Sequence, residues 1–250
     1  IEPQNRTYHE FANIDIAVIA LPRIANFDDF DPLKNEDGVT VRYVSTPKEL
    51  GNPSAIIIPG TKSTMADLNW LKSTGLAVQI FQSADKDTSV VGICGGYQMI
   101  GEMILDPDLV ESSQQQSEGL GLLPISTHFV RDKATTQTQG QIISGQGWLK
   151  PIQGESIAGY EIHMGRTASD SNWLNLSDGE DGAMSDNGRI WGCYVHGLFQ
   201  NANLRRAWLK SLGWHGTAHV SFNLDHEFDK LADAVETVLD MAKIQQIIGL

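Results

Sequence analysis

At 250 residues the chain can hold one large α/β domain or two small ones, either with a substantial core. Its net charge of −13, with no Lys/Arg-rich run, argues against nucleic acid and anionic membrane as partners, because both draw affinity from positive charge. Two cysteines, Cys94 and Cys193, fit a reduced, cytoplasmic protein better than a disulfide scaffold, and no apolar run approaches the ~20 residues of a membrane span.

The chain begins Ile1-Glu-Pro-Gln-Asn-Arg6, polar and without an initiator Met, so a domain cut from a longer polypeptide is expected, with residues 1–13 as a linker and 14–250 as the domain. Asp15–Leu21 is a continuous apolar run, the pattern of a strand covered on both faces. Val39–Val44 alternates as a second strand, and Ala55–Pro59 is a third, stopped by Pro59-Gly60. Asp67–Lys72 and Leu76–Ala84 carry helical spacing, Val90–Cys94 is a fourth strand, and a helix is predicted over Tyr97–Ile104. This alternation of strand and helix predicts a doubly wound α/β domain.

From about Gly119 the texture changes. Gly121–Val130, Thr135–Ile143, Trp148–Pro151 and Ala158–Met164 are rich in Thr, Gln and β-formers, and are predicted to be antiparallel strands extending the same sheet. Acidic Asp178–Asp186 is predicted as a loop, Arg189–Val195 as a strand ending in His196-Gly197, and Asn203–Leu212 as a helix. A terminal helix is predicted over residues 225–248, with Asp225 as N-cap and one apolar face of Phe228, Leu231, Val235, Val238, Leu239 and Ala242.

The chemistry concentrates at Ser89–Gly101. An apolar strand delivers Cys94 to a turn made by Gly95-Gly96, and a helix opens behind it. A thiol so placed sits at the positive end of a helix dipole, which favours the thiolate, and the glycines allow a strained backbone and close approach of substrate. Of the seven histidines, His196 is the best base, because it ends a strand where parallel sheets place their sites. A Cys/His pair performs acyl transfer through a thioester, with oxyanion donors available from the Gly95 N–H and the Pro59-Gly60-Thr61 turn. Cys193, inside a β-pattern, is expected to be a buried thiol. No His, Cys or carboxylate grouping has zinc spacing, so no metal is expected, and no P-loop is present.

Pro59-Gly60-Thr61, Gly92-Ile-Cys-Gly-Gly-Tyr-Gln98 and Val195-His-Gly197 resemble the oxyanion turn, nucleophile elbow and base of class I glutamine amidotransferases. Ile16–Leu33, Ile58–Thr64, Gly159–Thr167 and Gly192–Phe199 narrow the resemblance to the glutaminase domains of the cobyric/cobyrinic acid synthase branch. The resemblance implies an α/β, flavodoxin-like fold, with a mostly parallel sheet, an antiparallel extension and helices on both faces. It implies hydrolysis of glutamine by Cys94 and His196, with Gly60, Gly95 and Gln98 binding the substrate. It further implies that ammonia passes to the protein's own N-terminal synthetase domain, which uses ATP and Mg to amidate adenosylcobyrinic acid a,c-diamide in cobalamin biosynthesis. No cofactor is expected on the present domain.

One position departs from the wider class. A glutamate usually stands two residues after the histidine, and here that residue is Leu198. The histidine must then be oriented by a backbone carbonyl, a water or another carboxylate such as Glu161. His163 and Arg166 stand nearby in sequence, with roles toward glutamine, the corrin or the partner domain left open. Three other readings share these residues: a glutaminase for another acceptor such as a cell-wall muropeptide, a thiol hydrolase built on Gly92-x-Cys94-x-Gly96, and a non-catalytic binding module.

Overall fold

A computed structural model describes residues 14–216, 224–239, 243, 244 and 246. The expected linker over residues 1–13 and the end of the terminal helix lie outside the described residues. The chain divides into two units, Ile1–Gly216 and Thr217–Leu250.

The first unit is built on a six-stranded sheet. Its strands are β1 (Ile14–Ile19), β2 (Val39–Val44), β3 (Ala55–Ile58), β4 (Ser89–Ile93), β11 (Ala183–Met184) and β12 (Ile190–Cys193), in the order β11-β12-β4-β3-β1-β2. All neighbours pair in parallel except β11 with β12. The hydropathy patterns explain the order. β3 and β4 are buried along their whole length and lie centrally, whereas alternating β2 takes an edge. Short helices α1 (Asp31–Lys34) and α2 (Pro47–Leu50) flank β2, and α3 (Thr64–Ser73) and α4 (Leu76–Asp85) connect β3 to β4. The capping box of α2 is complete, with Thr46 and Glu49 each satisfying the other's backbone N–H.

The helix behind the elbow, α5, runs Gly95–Ile100 rather than to Ile104. Gly101 is extended, and the chain leaves as strand β5 (Met103–Leu105), because Ile104 is buried in a second sheet. That sheet corrects the expected extension of the first. It contains β5, β6 (Gln116–Glu118), β7 (Ser126–Ile142), β8 (Ser156–Ala168), β9 (Leu174–Leu176) and β10 (Gly179–Asp181). The two strands predicted over 121–143 are largely one, β7, interrupted by a register shift between Phe129 and Ala134. Trp148–Pro151 is not a strand but part of a 3-10 helix, Gly147–Ile152, which buries Trp148, Leu149 and Ile152; Pro151 has no N–H to give a ladder. The acidic stretch 178–186 is not a loop throughout, since it carries β10 and β11 and buries Asp181 beneath the Tyr194 N–H.

Helix α6 (Ala202–Ser211) closes the first unit. Its buried Trp208 joins Trp148, Trp173 and Trp191 in a chain of tilted and edge-on ring contacts, with centroids 5.2–6.3 Å apart. In the second unit, α7 spans Leu224–Val238, beginning one residue before the predicted cap Asp225. Its Phe228, Leu231, Val235, Val238 and Leu239 are exposed, and Ala242 lies outside the described residues. Among the described residues, no helix is long and apolar enough to cross a membrane.

Candidate active site

Four strands of the first sheet end on the same side, and each hands over a piece of one site. β4 delivers Cys94, β3 delivers Gly60, β12 leads to His196, and the loop after β1 carries Asn26 and Asp29. Ligand sites at the carboxyl ends of parallel strands follow from that shared direction.

Cys94 holds φ +52°, ψ −108°, a conformation that L-residues rarely adopt. The strand and helix on either side enforce it. The Cys94 N–H bonds the Cys193 carbonyl at 2.9 Å, continuing the β4–β12 ladder, and the Cys94 carbonyl accepts the Gln98 N–H at 3.1 Å to begin α5. The turn demands glycine at position 96, where a Cβ would be driven into the Ile58 carbonyl. The thiol ends against the Ile162 carbonyl at 3.6 Å.

His196 is 2% exposed and held from three sides. Its backbone exchanges two hydrogen bonds with Tyr160 of β8, at 2.8 and 3.1 Å, and its ring stacks on Tyr160 at 5.3 Å. Its Nδ1 lies 2.7 Å from Asp29 Oδ2 and 3.0 Å from the Asn26 amide. Nε2 faces the other way: a Cβ placed on Gly60 would come within 2.8 Å of His196 Cε1, 3.6 Å of Nε2 and 3.6 Å of Cys94 Cβ. The glycine thus makes room for imidazole and thiol over one backbone. Burial lowers the proton affinity of His196, but the hydrogen bonds to Asp29 and Cys94 and their charges outweigh it, raising the pKa from 6.5 to about 10.

Gly95 packs on the Pro59-Gly60-Thr61 turn, where its Cβ would lie 3.2 Å from the Thr61 nitrogen. Gln98 is buried, with its Oε1 accepting from Thr64 at 2.8 Å and its Nε2 donating to Tyr194 at 3.3 Å. All five expected site residues therefore converge. Cys94, His196, Gly95 and Gln98 line one cavity of about 410 Å³, and Gly60 lies against His196 and Cys94. Asn26, Thr64, Glu111 and Lys133 line the same cavity and were not singled out from sequence. Glu111 accepts the Thr64 N–H at the start of α3, and burial pushes its carboxyl up.

Glu161, a candidate for orienting the base, does not do so. Its Oε1 lies 3.3 Å from His163 Nε2, and His163 stacks on Tyr194 at 3.8 Å. The Arg166 guanidinium stands 3.5 Å from His163 Nδ1. The carboxylate beside His196 Nδ1 is that of Asp29. A sequence signal for it existed in the Asn-Phe-Asp-Asp-Phe-Asp run that follows β1 at the site end of the sheet, although nothing there distinguishes Asp29 from Asp28 or Asp31. Cys193 is fully buried, and burial pushes its thiol well up, as expected for a packed thiol. Among the described residues, no group of three His, Cys, Asp or Glu side chains is placed to hold a metal ion.

The model of the CobB/CobQ-like glutamine amidotransferase domain matches residues 15–204. A cobyric acid synthase of Dehalococcoides mccartyi is 46% identical over 250 residues, covering 95% of this chain and 50% of that protein. One of Chloroflexus aggregans is 48% identical over 244 residues, covering 91% and 48%. The chain thus spans about half the length of the curated relatives it matches. Among solved structures, PurLQS from Thermotoga maritima is similar with a TM-score of 0.60 at 16% identity, covering 80% of this chain and 98% of that one. A glutamine amidotransferase structure gives 0.59 at 16% identity, covering 79% and 98%. At such identity the likeness is one of fold. With an elbow cysteine, a strand-end histidine and a glycine turn between them, the chain belongs to the CobB/CobQ-like glutamine amidotransferase domain family.

Proposed function

We propose that this domain hydrolyses the side-chain amide of glutamine, with Cys94 as nucleophile and His196 as acid and base. The observation that carries the reading is the meeting of Cys94 and the Nε2 side of His196 over Gly60, in a cavity also lined by Gln98. His196 Nε2 takes the Cys94 thiol proton, and Sγ attacks the amide carbon, forming the C–S bond as the carbonyl electrons move onto oxygen. The Gly60 and Gly95 N–H groups stabilise that oxyanion. His196 protonates the departing nitrogen, the C–N bond breaks, and ammonia leaves a γ-glutamyl thioester. A water then attacks the thioester with His196 accepting its proton, the C–S bond breaks, the proton returns to Cys94 Sγ, and glutamate is released. Gln98, its amide fixed between Thr64 and Tyr194, helps hold the substrate.

The ammonia serves a synthetase half outside this chain, which uses ATP and Mg to amidate adenosylcobyrinic acid a,c-diamide. Relatives carrying the name cobyric acid synthase, of which this chain covers half, support that assignment. The test is glutamate formation from glutamine by the wild-type chain and by Cys94→Ser. The proposal expects a loss of at least about 100-fold, and equal rates would refute it.

A further inference from the structure

We propose that Asp29 is the positioning carboxylate of His196, supplied by the loop after β1 in place of the residue two positions beyond the histidine. The proposal rests on the glutamine-hydrolysis reading and deepens it. An ionised carboxylate only accepts hydrogen bonds, so the 2.7 Å contact from Asp29 Oδ2 to Nδ1 assigns the ring proton to Nδ1. That leaves Nε2 on the Cys94 side to take up the thiol proton, so that the ring, protonated on both nitrogens, faces the Cys94 thiolate. A proton on Nδ1 also means that the Asn26 amide meets it with its oxygen, by turning the amide over.

Asp29 is only 5% exposed, and both of its oxygens are used. Oδ1 accepts the Gly197 N–H at 2.8 Å, locking the backbone beyond the histidine, while Oδ2 takes the ring. Leu198, at the position where a glutamate would stand, is buried and apolar. The other carboxylates on this side are committed elsewhere, Glu161 to His163 and Glu111 to the start of α3.

The loop is itself fastened to the oxyanion turn. Ala25 N–H bonds the Gly60 carbonyl at 2.9 Å, Lys62 N–H bonds the Arg23 carbonyl at 3.0 Å, and Arg23 pairs with Asp67 at 2.9 Å. Phe30 anchors its far end against Phe199, with centroids 6.4 Å apart. One segment therefore sets the histidine and the oxyanion turn against each other. The groups facing the His196 ring are Asp29 and Asn26 from this loop, Cys94 from the elbow, and Tyr160 from β8.

The experiment compares the wild-type chain with Asp29→Asn in two assays. In glutamine hydrolysis, kcat falls by roughly 10²–10⁴-fold while KM stays within about threefold. In alkylation by iodoacetamide, mapped to Cys94 by mass spectrometry, the pH midpoint rises by about one unit or more. Losing the carboxylate charge weakens the imidazolium, and the thiolate loses its neighbouring cation. A variant whose kcat and alkylation profile superimpose on wild type overturns the proposal, leaving the glutaminase reading standing. If the wild-type chain fails to hydrolyse glutamine yet the alkylation midpoint still shifts, the glutaminase reading falls and the positioning role holds. Should Asp29→Asn not fold, 15N-histidine labelling of the wild type decides. A downfield, exchange-protected Nδ1 proton that is absent in His196→Gln supports the assignment, and its absence from wild type overturns it.

Discussion

At the residue scale, the site turns on where one proton sits. His196 has its pKa raised from 6.5 to about 10: burial opposes the charge, and Asp29 and Cys94 restore it. Folding therefore gains from the protonated ring. That stability is fully present below the unfolded value near 6.5 and is lost as pH rises through about 10. Denaturant unfolding of wild type and His196→Gln should show a gap that is widest near pH 6 and narrows toward about pH 10. A gap that widens with pH would contradict the ion-pair account. This residue-level chemistry was only partly legible in sequence. Cys94 announces itself because the apolar strand, the glycine pair and the helix are contiguous. Asp29 does not, because it meets His196 across 167 positions and sits among equivalent aspartates.

At the scale of elements, the site depends on loops being pinned where strands end. Strand identities were readable because central strands are continuously apolar and the edge strand alternates, as β3, β4 and β2 do. Which sheet a strand joins was not readable. β7 and β8 show ordinary β-pattern, and only their pairing with each other and with β5 reveals a separate sheet. Ion pairs across the fold were equally silent. Glu36, 5% exposed and just beyond α1, takes buried Arg205 of α6 at 2.7 Å and Arg206 at 3.0 Å. Glu36→Ala removes the partner but leaves the Arg205 charge buried, so it should destabilise the chain by about 3–5 kcal/mol. Chemical denaturation measures this, and a change under about 1 kcal/mol would show that the pair is dispensable.

At the scale of the whole first unit, two sheets share one core, and tryptophan is the joint. Trp173 precedes β9 of the second sheet, yet it is fully buried against Trp191 of the first and donates its N–H to the Gly192 carbonyl at 3.0 Å. Trp173→Ala should cost about 3–5 kcal/mol and open a cavity at this joint. Thermal unfolding checks it, and an unchanged midpoint would mean that the sheets are held by other contacts.

The central claim is that Cys94 is a glutamine-directed nucleophile, and labelling with 6-diazo-5-oxo-L-norleucine followed by peptide mass mapping tests it most directly. Thiolate attack on this glutamine analogue expels nitrogen and leaves a stable adduct. The account predicts modification of Cys94 alone, suppressed by excess glutamine and slowed at least about tenfold in His196→Gln. Labelling of Cys193 at a comparable rate, or an unmodified Cys94 in the folded wild-type chain, would contradict it.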